Sequence, residues 1–238
     1  YADVTTPIRL LRRLQARSSR FFLLESVEGG EKWARYSFLG YDPILRVACK
    51  NGVVTVKGAE SRTVETGKPL DVLREILSRY RAPRLEGLPP FTGGFVGYFA
   101  YAMLSYAEPT LDIQRGAWDD FDLMLFDKVI AYDHLKQKIT LIANIQTDHV
   151  MENYGAACAA LESMAALVSD QSPLPCQAHA PKPTFTCNMT LGEYTAMVEK
   201  TRDYIFDGDI FEAVQSRQFQ SPYEGSLLNA YRVLRTTN

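Results

Sequence analysis

Residues 21–43 constrain the fold more than any other stretch of this chain, because they join two strand patterns through a turn. The apolar run from Phe21 to Leu24 has the length and composition of a buried strand, and Gly29-Gly30 follows it as a turn. A second apolar segment from Trp33 to Leu39 is then placed to pair with the first. The pairing predicts that polar residues at the ends of two core strands lie side by side.

Those polar residues have the chemistry of an amino-acid site. A zwitterion needs an acceptor for its ammonium group, which Glu25 supplies, and donors for its carboxylate, which Ser26 and Arg35 supply beside Ser37. Three aromatic residues could wall an apolar side chain, namely Trp33, Tyr36 and Phe38. The alternative is a capped turn in which the polar groups satisfy one another through a buried salt bridge. The residue pattern leaves both interpretations open.

Three helices are predicted in the first 168 residues. Thr6-Pro7 is typical of an N-cap followed by proline at the first helical position, and the arginines of this helix are interpreted as a solvated face. Apolar residues at helical spacing predict a second helix over residues 73–80. Asp148 is predicted to cap a third, alanine-rich helix that continues to about Leu167.

Hairpins are predicted on either side of the second helix. Asn51-Gly52 lies between two β-rich segments and is the strongest short-range signal of a two-residue hairpin turn. Residues 123–132 and 138–145 predict a second hairpin. The glycines of residues 91–101 lack the spacing of a phosphate-binding loop, so this aromatic segment is interpreted as a strand with close backbone packing.

Residues 169–189 form the clearest linker, with several prolines among polar residues. They separate a predicted first domain, 1–168, from the beginning of a second domain, 190–238. In the second domain Thr190-Leu-Gly-Glu193 is a capping box, residues 209–221 predict a long strand, and Ser226 is predicted to cap a last helix. The fold class is α+β, with mostly antiparallel sheets and flanking helices.

Composition excludes several function classes. Net charge is −2 without a basic block, which disfavours nucleic-acid binding, and the apolar runs are too short to span a bilayer. The four cysteines form no C-x-x-C pair and are interpreted as reduced thiols of a cytoplasmic protein. The three histidines have no metal-ligand spacing, so no metal site and no catalytic constellation is predicted within these residues.

Several segments resemble the large subunit (component I) of anthranilate synthase, within the chorismate-using enzyme family. They occur in the family's order and are Leu23–Ser26, Arg35–Pro43, Phe91–Tyr98, Gly208–Phe219 and Tyr231–Asn238. The closely related aminodeoxychorismate synthase component I of the folate pathway shares much of the pattern. A non-catalytic binding or assembly module is the alternative from a different class.

The resemblance implies a lyase reaction with Mg²⁺, in which chorismate and glutamine-derived ammonia give anthranilate and pyruvate, the first step of tryptophan biosynthesis. A glutamine amidotransferase subunit is the implied partner. The resemblance also implies a feedback site for tryptophan that includes Glu25 and Ser26, with Arg35, Tyr36 and Ser37 beside them. The rest of that site would come from the family's N-P-S-P-Y-M segment, of which Asn238 alone is present.

The catalytic part of the family pattern is expected outside this chain. The family's Mg²⁺-binding glutamates, chorismate-binding residues and catalytic histidine lie beyond the segment that Asn238 begins. The 238 residues are therefore predicted to be the feedback-regulatory, amino-terminal part and to be inactive alone. Ala102 and Ser105 depart from the charged residues that the family usually has at these positions.

Overall fold

The structure is a computed structural model that describes residues 1–26, 35–59, 61–111, 113, 115–174 and 182–237. The chain divides into two compact units, residues 1–174 and residues 175–237. The first consists of two antiparallel sheets with helices packed against them, which confirms the predicted α+β class.

The residues that predicted a strand pair belong to a four-stranded sheet. Its strands, in spatial order, are β1 (Phe21–Glu25), β2 (Tyr36–Tyr41), β8 (Lys128–Asp133) and β9 (Lys138–Ala143). All neighbours are antiparallel, and the register of β1 and β2 places Glu25 opposite Ser37. The predicted pairing is confirmed, although the turn that joins the two strands lies outside the described residues.

A five-stranded sheet completes the first unit. Its strands, in spatial order, are β5 (Arg62–Glu65), β4 (Val53–Lys57), β3 (Leu45–Lys50), β7 (Phe121–Phe126) and β6 (Gly94–Phe99). Asn51 and Gly52, with φ of 52° and 80°, join β3 to β4 in the left-handed conformation that a two-residue hairpin turn requires. Gly97 of β6 allows the predicted close approach, because a Cβ there would lie 1.9 Å from the carbonyl oxygen of Asp122.

One predicted strand is two strands in different sheets. Residues 123–132 were interpreted as one arm of a hairpin, but β7 ends at Phe126 and β8 begins at Lys128. Asp127 alone separates them, and its carbonyl oxygen accepts hydrogen bonds from the backbone N–H and the side-chain amide of Asn144. A continuous apolar segment indicates that its residues are buried, but it does not show whether they form one strand or two consecutive strands.

Helices cover the sheets of the first unit. They are α1 (Pro7–Arg17), α2 (Pro69–Ser78), a 3₁₀ turn (Tyr101–Met103), α3 (Leu104–Ala107) and α4 (Val150–Ser169). Helix α1 packs on β1, β2 and α4, and α4 packs on β9. Helix α2 places Leu73 and Ile76 in a core formed with the buried face of β3 and β4. The helices thus close one face of each sheet.

Two details of the helices differ from the sequence interpretation. Arg13 was assigned to a solvated face, but its side chain is buried and its guanidinium contacts Asp170 at 2.5 Å and the carbonyl oxygen of Ser172 at 2.8 Å. Asp148 does not cap α4, since the N-cap is His149 in a left-handed conformation. The Thr6 cap of α1 is confirmed by its hydrogen bond from the backbone N–H of Arg9.

The second unit contains helix α5 (Leu191–Phe206), helix α6 (Leu228–Thr237) and two short paired strands, β10 (Thr186–Cys187) and β11 (Phe219–Gln220). The predicted capping box of Thr190 and Glu193 is present, and the backbone N–H of Leu228 donates to Ser226 Oγ as predicted. The long strand predicted over 209–221 is wrong except at 219–220. An extended segment needs a partner for its backbone groups, and β10 is too short to supply one.

Candidate functional site

Ser37 lies between an acid and an imidazole at one end of the four-stranded sheet. Its hydroxyl oxygen is 3.4 Å from Glu25 Oε2 and 2.8 Å from Nε2 of His134. The backbone N–H of His134 donates to the carbonyl oxygen of Arg35 at 2.8 Å, which fixes the start of the turn after β8 beside β2. Ser37 is 1% exposed, whereas Glu25 is half-buried and His134 is exposed. The arrangement presents a carboxylate and an imidazole to solvent over a buried hydroxyl.

His134 did not emerge from the sequence as a site residue. Its neighbour Ser37 is 97 positions away in the chain, and the contact arises only because β8 pairs with β2. The sequence shows a histidine just after a β-rich segment, and polar residues of a neighbouring strand could lie beside it at that strand end. That signal does not identify the partner strand.

Arg35 has a protein partner in this structure. Its Nε lies 3.1 Å and its Nη2 2.7 Å from the two carboxylate oxygens of Asp133, a two-pronged ion pair at the adjoining end of β8. Asp133 also accepts hydrogen bonds from the backbone N–H groups of Leu135 and Lys136. Burial opposes ionisation of Asp133, but these donors win and lower its pKa to about 2. The hydrogen bond to Asp133 raises the pKa of Arg35.

Two of the three predicted aromatic residues, Tyr36 and Phe38, lie on the other face of the sheet. Tyr36 and Phe38 alternate with Ser37, so their side chains point away from Glu25 and Ser37. Their rings stack with centroids 5.6 Å apart, and Phe91 meets Phe38 edge-on at 5.5 Å. The guanidinium of Arg35 covers the Tyr36 ring at 4.9 Å, a cation–π contact.

The sheet therefore separates the predicted site residues into two groups. Glu25 and Ser37 share one face, and Tyr36 shares the opposite face with the Arg35–Asp133 pair. Ser26 is exposed immediately after β1. The two remaining predicted residues, Trp33 and Asn238, lie outside the described residues. Polar side chains of β1, β2 and the turn after β8 thus meet at one end of the four-stranded sheet.

A second polar cluster is centred on Asp120, which is 2% exposed. Its carboxylate accepts hydrogen bonds from the backbone N–H of Asn51 at 2.8 Å, the hydroxyl of Tyr106 at 2.6 Å and the guanidinium of Arg115 at 3.3 Å. Burial, followed by the hydrogen bond to Asp120, raises the pKa of Tyr106 to about 12. The cluster fastens the segment after β6 to the β3–β4 turn, which is a structural role.

Ser105, one of the two departures from the family pattern, belongs to this cluster. Its hydroxyl accepts a hydrogen bond from Arg115 Nη2 at 3.0 Å and donates to the carbonyl oxygen of Ala102 at 2.8 Å. The positively charged guanidinium of Arg115 therefore lies next to Ser105. It also stacks on the Tyr106 ring, 4.8 Å from the ring centroid. The serine is small enough to leave room for that side chain.

No group of three or more histidine, cysteine, aspartate or glutamate side chains among the described residues is arranged to hold a metal ion. The described residues thus do not fit the Mg²⁺ that the resemblance implies. Cys49, Cys158 and Cys187 are free thiols. Within the described parts of the chain, the helices are too short or too polar to cross a membrane.

The family follows from comparison with known proteins. Residues 20–238 match the chorismate binding enzyme family, and the chain belongs to that family. The match begins one residue before β1 and includes both units. The match defines the class as the chorismate binding enzymes, and the matched residues include both sheets and the Glu25–Ser37 strand end.

Relatives narrow the resemblance to one enzyme of that class. The chain is 36% identical to anthranilate synthase component 1 of Acetivibrio thermocellus, over 100% of its own length and 50% of the relative's. It is 34% identical to the component 1 of Mycobacterium tuberculosis strain H37Rv, over 100% of its length and 48% of the relative's. The crystal structure of anthranilate synthase component I from Streptococcus pneumoniae matches 99% of the chain and 51% of its own, with 26% identity and a TM-score of 0.71. The resemblance to component I is confirmed, and the chain spans about half the length of these relatives.

Proposed function

We propose that this chain is the feedback-regulatory part of an anthranilate synthase large subunit, and that tryptophan binds where β1 and β2 end. The single observation that carries the proposal is the register that brings Glu25 opposite Ser37 at that end. The relatives are named anthranilate synthase component 1, which supports the choice of enzyme. The carboxylate and hydroxyl groups at the strand end support the choice of an amino acid as ligand. Chorismate and an amidotransferase subunit are the substrate and partner of the whole enzyme in this proposal.

Glu25 is the acceptor for the ammonium group of tryptophan. It is half-buried, so an ion pair with the ligand is only partly screened by water. Arg35 can bind the ligand carboxylate only if its ion pair with Asp133 breaks. Breaking that pair would leave the buried Asp133 carboxylate without a counter-charge, at a cost on the order of 3–5 kcal/mol. Arg35 therefore acts by holding the ends of β2 and β8 together, and Ser26, exposed beside Glu25, is the donor for the ligand carboxylate.

Tryptophan binding to the 238-residue protein tests the proposal directly. Binding is expected to be weak, because the resemblance assigns the rest of the site to a segment of which Asn238 alone is present. Chemical-shift mapping by ¹H–¹⁵N NMR detects weak binding, and titration with L-tryptophan should shift amides of residues 22–26, 35–39 and 132–135. Glu25→Gln and Ser26→Ala should abolish these shifts.

The controls separate this site from general adsorption. Glu65 is the last residue of β5, an exposed glutamate at a strand end of the other sheet, so Glu65→Gln is a matched control that should leave the shifts unchanged. D-Tryptophan and indole should give smaller shifts, since neither presents the ammonium and carboxylate groups in the same geometry. Shifts confined to other parts of the chain, or shifts that survive Glu25→Gln, would contradict the proposal.

The catalytic step is assigned to polypeptide other than these 238 residues. Purified protein with chorismate, Mg²⁺ and ammonia should produce no anthranilate fluorescence. Anthranilate formation that persists after repeated purification would refute this part of the proposal.

A further inference from the structure

The buried hydroxyl of Ser37 has one proton and two neighbours that can accept it. Nε2 of His134 is 2.8 Å away and Oε2 of Glu25 is 3.4 Å away. Ser37 is 1% exposed, so water does not provide its oxygen with a ready third partner. A serine hydroxyl donates only one hydrogen bond, and the protonation of the imidazole decides its direction.

The proton on Nε2 of His134 decides between two arrangements. When Nε2 carries no proton, Ser37 donates to His134 and makes no donation to Glu25. When Nε2 carries a proton, in the neutral Nε2–H tautomer or in the imidazolium, it donates to Ser37, and the hydroxyl proton points to the Glu25 carboxylate. Only the imidazolium also places a positive charge on the same side of the sheet as Glu25.

We propose that His134 is a further residue of the amino-acid site, where its proton competes with the ligand's ammonium group for Glu25. The inference rests on the proposed function, since it assumes that Glu25 receives the ammonium group of tryptophan. Two cations beside one half-buried carboxylate repel each other, and each weakens the binding of the other. Tryptophan is therefore bound best when His134 is neutral, and its binding releases a proton from the ring.

Two ionisable side chains next to His134, Asp133 and Tyr132, keep their charge state when it titrates. Asp133, with its pKa lowered to about 2, stays ionised and paired with Arg35. Tyr132, whose ring centroid is 4.6 Å from that of His134, has a pKa raised by burial and stays neutral. Charged groups near this corner include Glu25 beside Ser37, the Arg35–Asp133 pair, and Asp3, whose charge adds to burial in raising the pKa of Tyr132.

Proton linkage is measured by calorimetric titration of the protein with L-tryptophan between pH 5 and pH 8, in buffers of different ionisation enthalpy. For full competition the dissociation constant rises tenfold for each pH unit below the titration of His134. Ring ¹H–¹³C NMR follows His134 directly, and saturating tryptophan should move its titration to lower pH. The chain has only three histidines, so substitution of His134 assigns its signal.

Two matched variants isolate the proton from the hydrogen bond. His134→Gln keeps a polar group near the position of Nε2 but has no titratable proton, so tryptophan affinity should become independent of pH in this range. His149→Gln changes an exposed histidine at the start of α4 and should keep the wild-type dependence. Without ligand, Glu25→Gln should move the titration of His134 to lower pH, because it removes the facing carboxylate.

The outcomes distinguish the inference from the proposed function. If tryptophan binds and His134→Gln retains the wild-type pH dependence, the role of His134 is refuted while the tryptophan site stands. If tryptophan binds without any pH dependence, the same conclusion follows. If no signal from the β1–β2 end responds to tryptophan at any pH, both the site and the inference are refuted.

Discussion

The ion pair between Arg35 and Asp133 makes the stability of the first unit depend on pH in a defined direction. The folded-state pKa of Asp133 is about 2, below its ordinary value of 3.8. A carboxyl group with a depressed folded pKa stabilises the protein above its unfolded pKa, and this stabilisation is lost as the pH falls through the folded pKa. Asp133→Asn should therefore destabilise the protein at pH 7 and have progressively less effect from about pH 4 to pH 2.

The magnitude follows from the two pKa values. A lowering from 3.8 to about 2 corresponds to about 2.4 kcal/mol at pH 7, at 1.36 kcal/mol for each pKa unit. The same relation gives about 1.3 kcal/mol at pH 3 and about 0.4 kcal/mol at pH 2. The side chains of Asp133 and Arg35 are 9% and 25% exposed, so solvent screens the pair in part and about 2.4 kcal/mol is the upper end of the expected effect. Asparagine retains an oxygen for the two backbone N–H donors, so the charge is the main change.

Urea unfolding followed by tryptophan fluorescence measures this difference. Both tryptophans, Trp33 and Trp118, belong to residues 1–174, so the signal reports on the first unit. Asp71→Asn breaks a solvent-exposed pair with Arg74 and is the control, with an expected effect under about 0.5 kcal/mol. A destabilisation by Asp133→Asn that is the same at pH 7 and pH 3, or that is no larger than the control's, would refute the reasoning.

Two further substitutions have outcomes set by the geometry. Gly97→Ala places a Cβ 1.9 Å from the carbonyl oxygen of Asp122, so β6 should separate from β7. Urea unfolding should show a free energy of unfolding lower by more than about 3 kcal/mol. Gly67→Ala, with open space around the added methyl group, is the control. Thr190→Ala removes a capping-box bond and should cost about 1 kcal/mol, seen as faster amide exchange in the first turn of α5, and unchanged exchange there would contradict the cap.

Local signals in the sequence predicted most of the fold. Thr6-Pro7, Asn51-Gly52 and the Thr190–Glu193 box each specify backbone geometry within a few residues, and each is present in the structure. Glu25 and Ser37 were predicted to meet because one turn joins their strands. Such features depend on contacts between residues that are near one another in the chain, where spacing determines geometry.

The contacts and elements that were not predicted correctly have a different physical cause. The contacts of Ser37 with His134 and of Arg13 with Asp170 join residues 97 and 157 positions apart, and no local pattern encodes which strand or helix will be the neighbour. Residues 209–218 carry a strand pattern but have no adjacent strand in the described part of the second unit. Strand formation depends on a partner, so an apolar pattern alone does not decide it.

The one-residue connection at Asp127 has a mechanical consequence for the first unit. Strand β8 borders β2, where the candidate site lies, and β7 lies between β3 and β6 in the other sheet. With a single residue between these strands, the Phe126 end of β7 and the Lys128 end of β8 cannot move apart. A displacement of the Lys128 end of β8 is therefore passed directly to the Phe126 end of β7, which lies inside the five-stranded sheet.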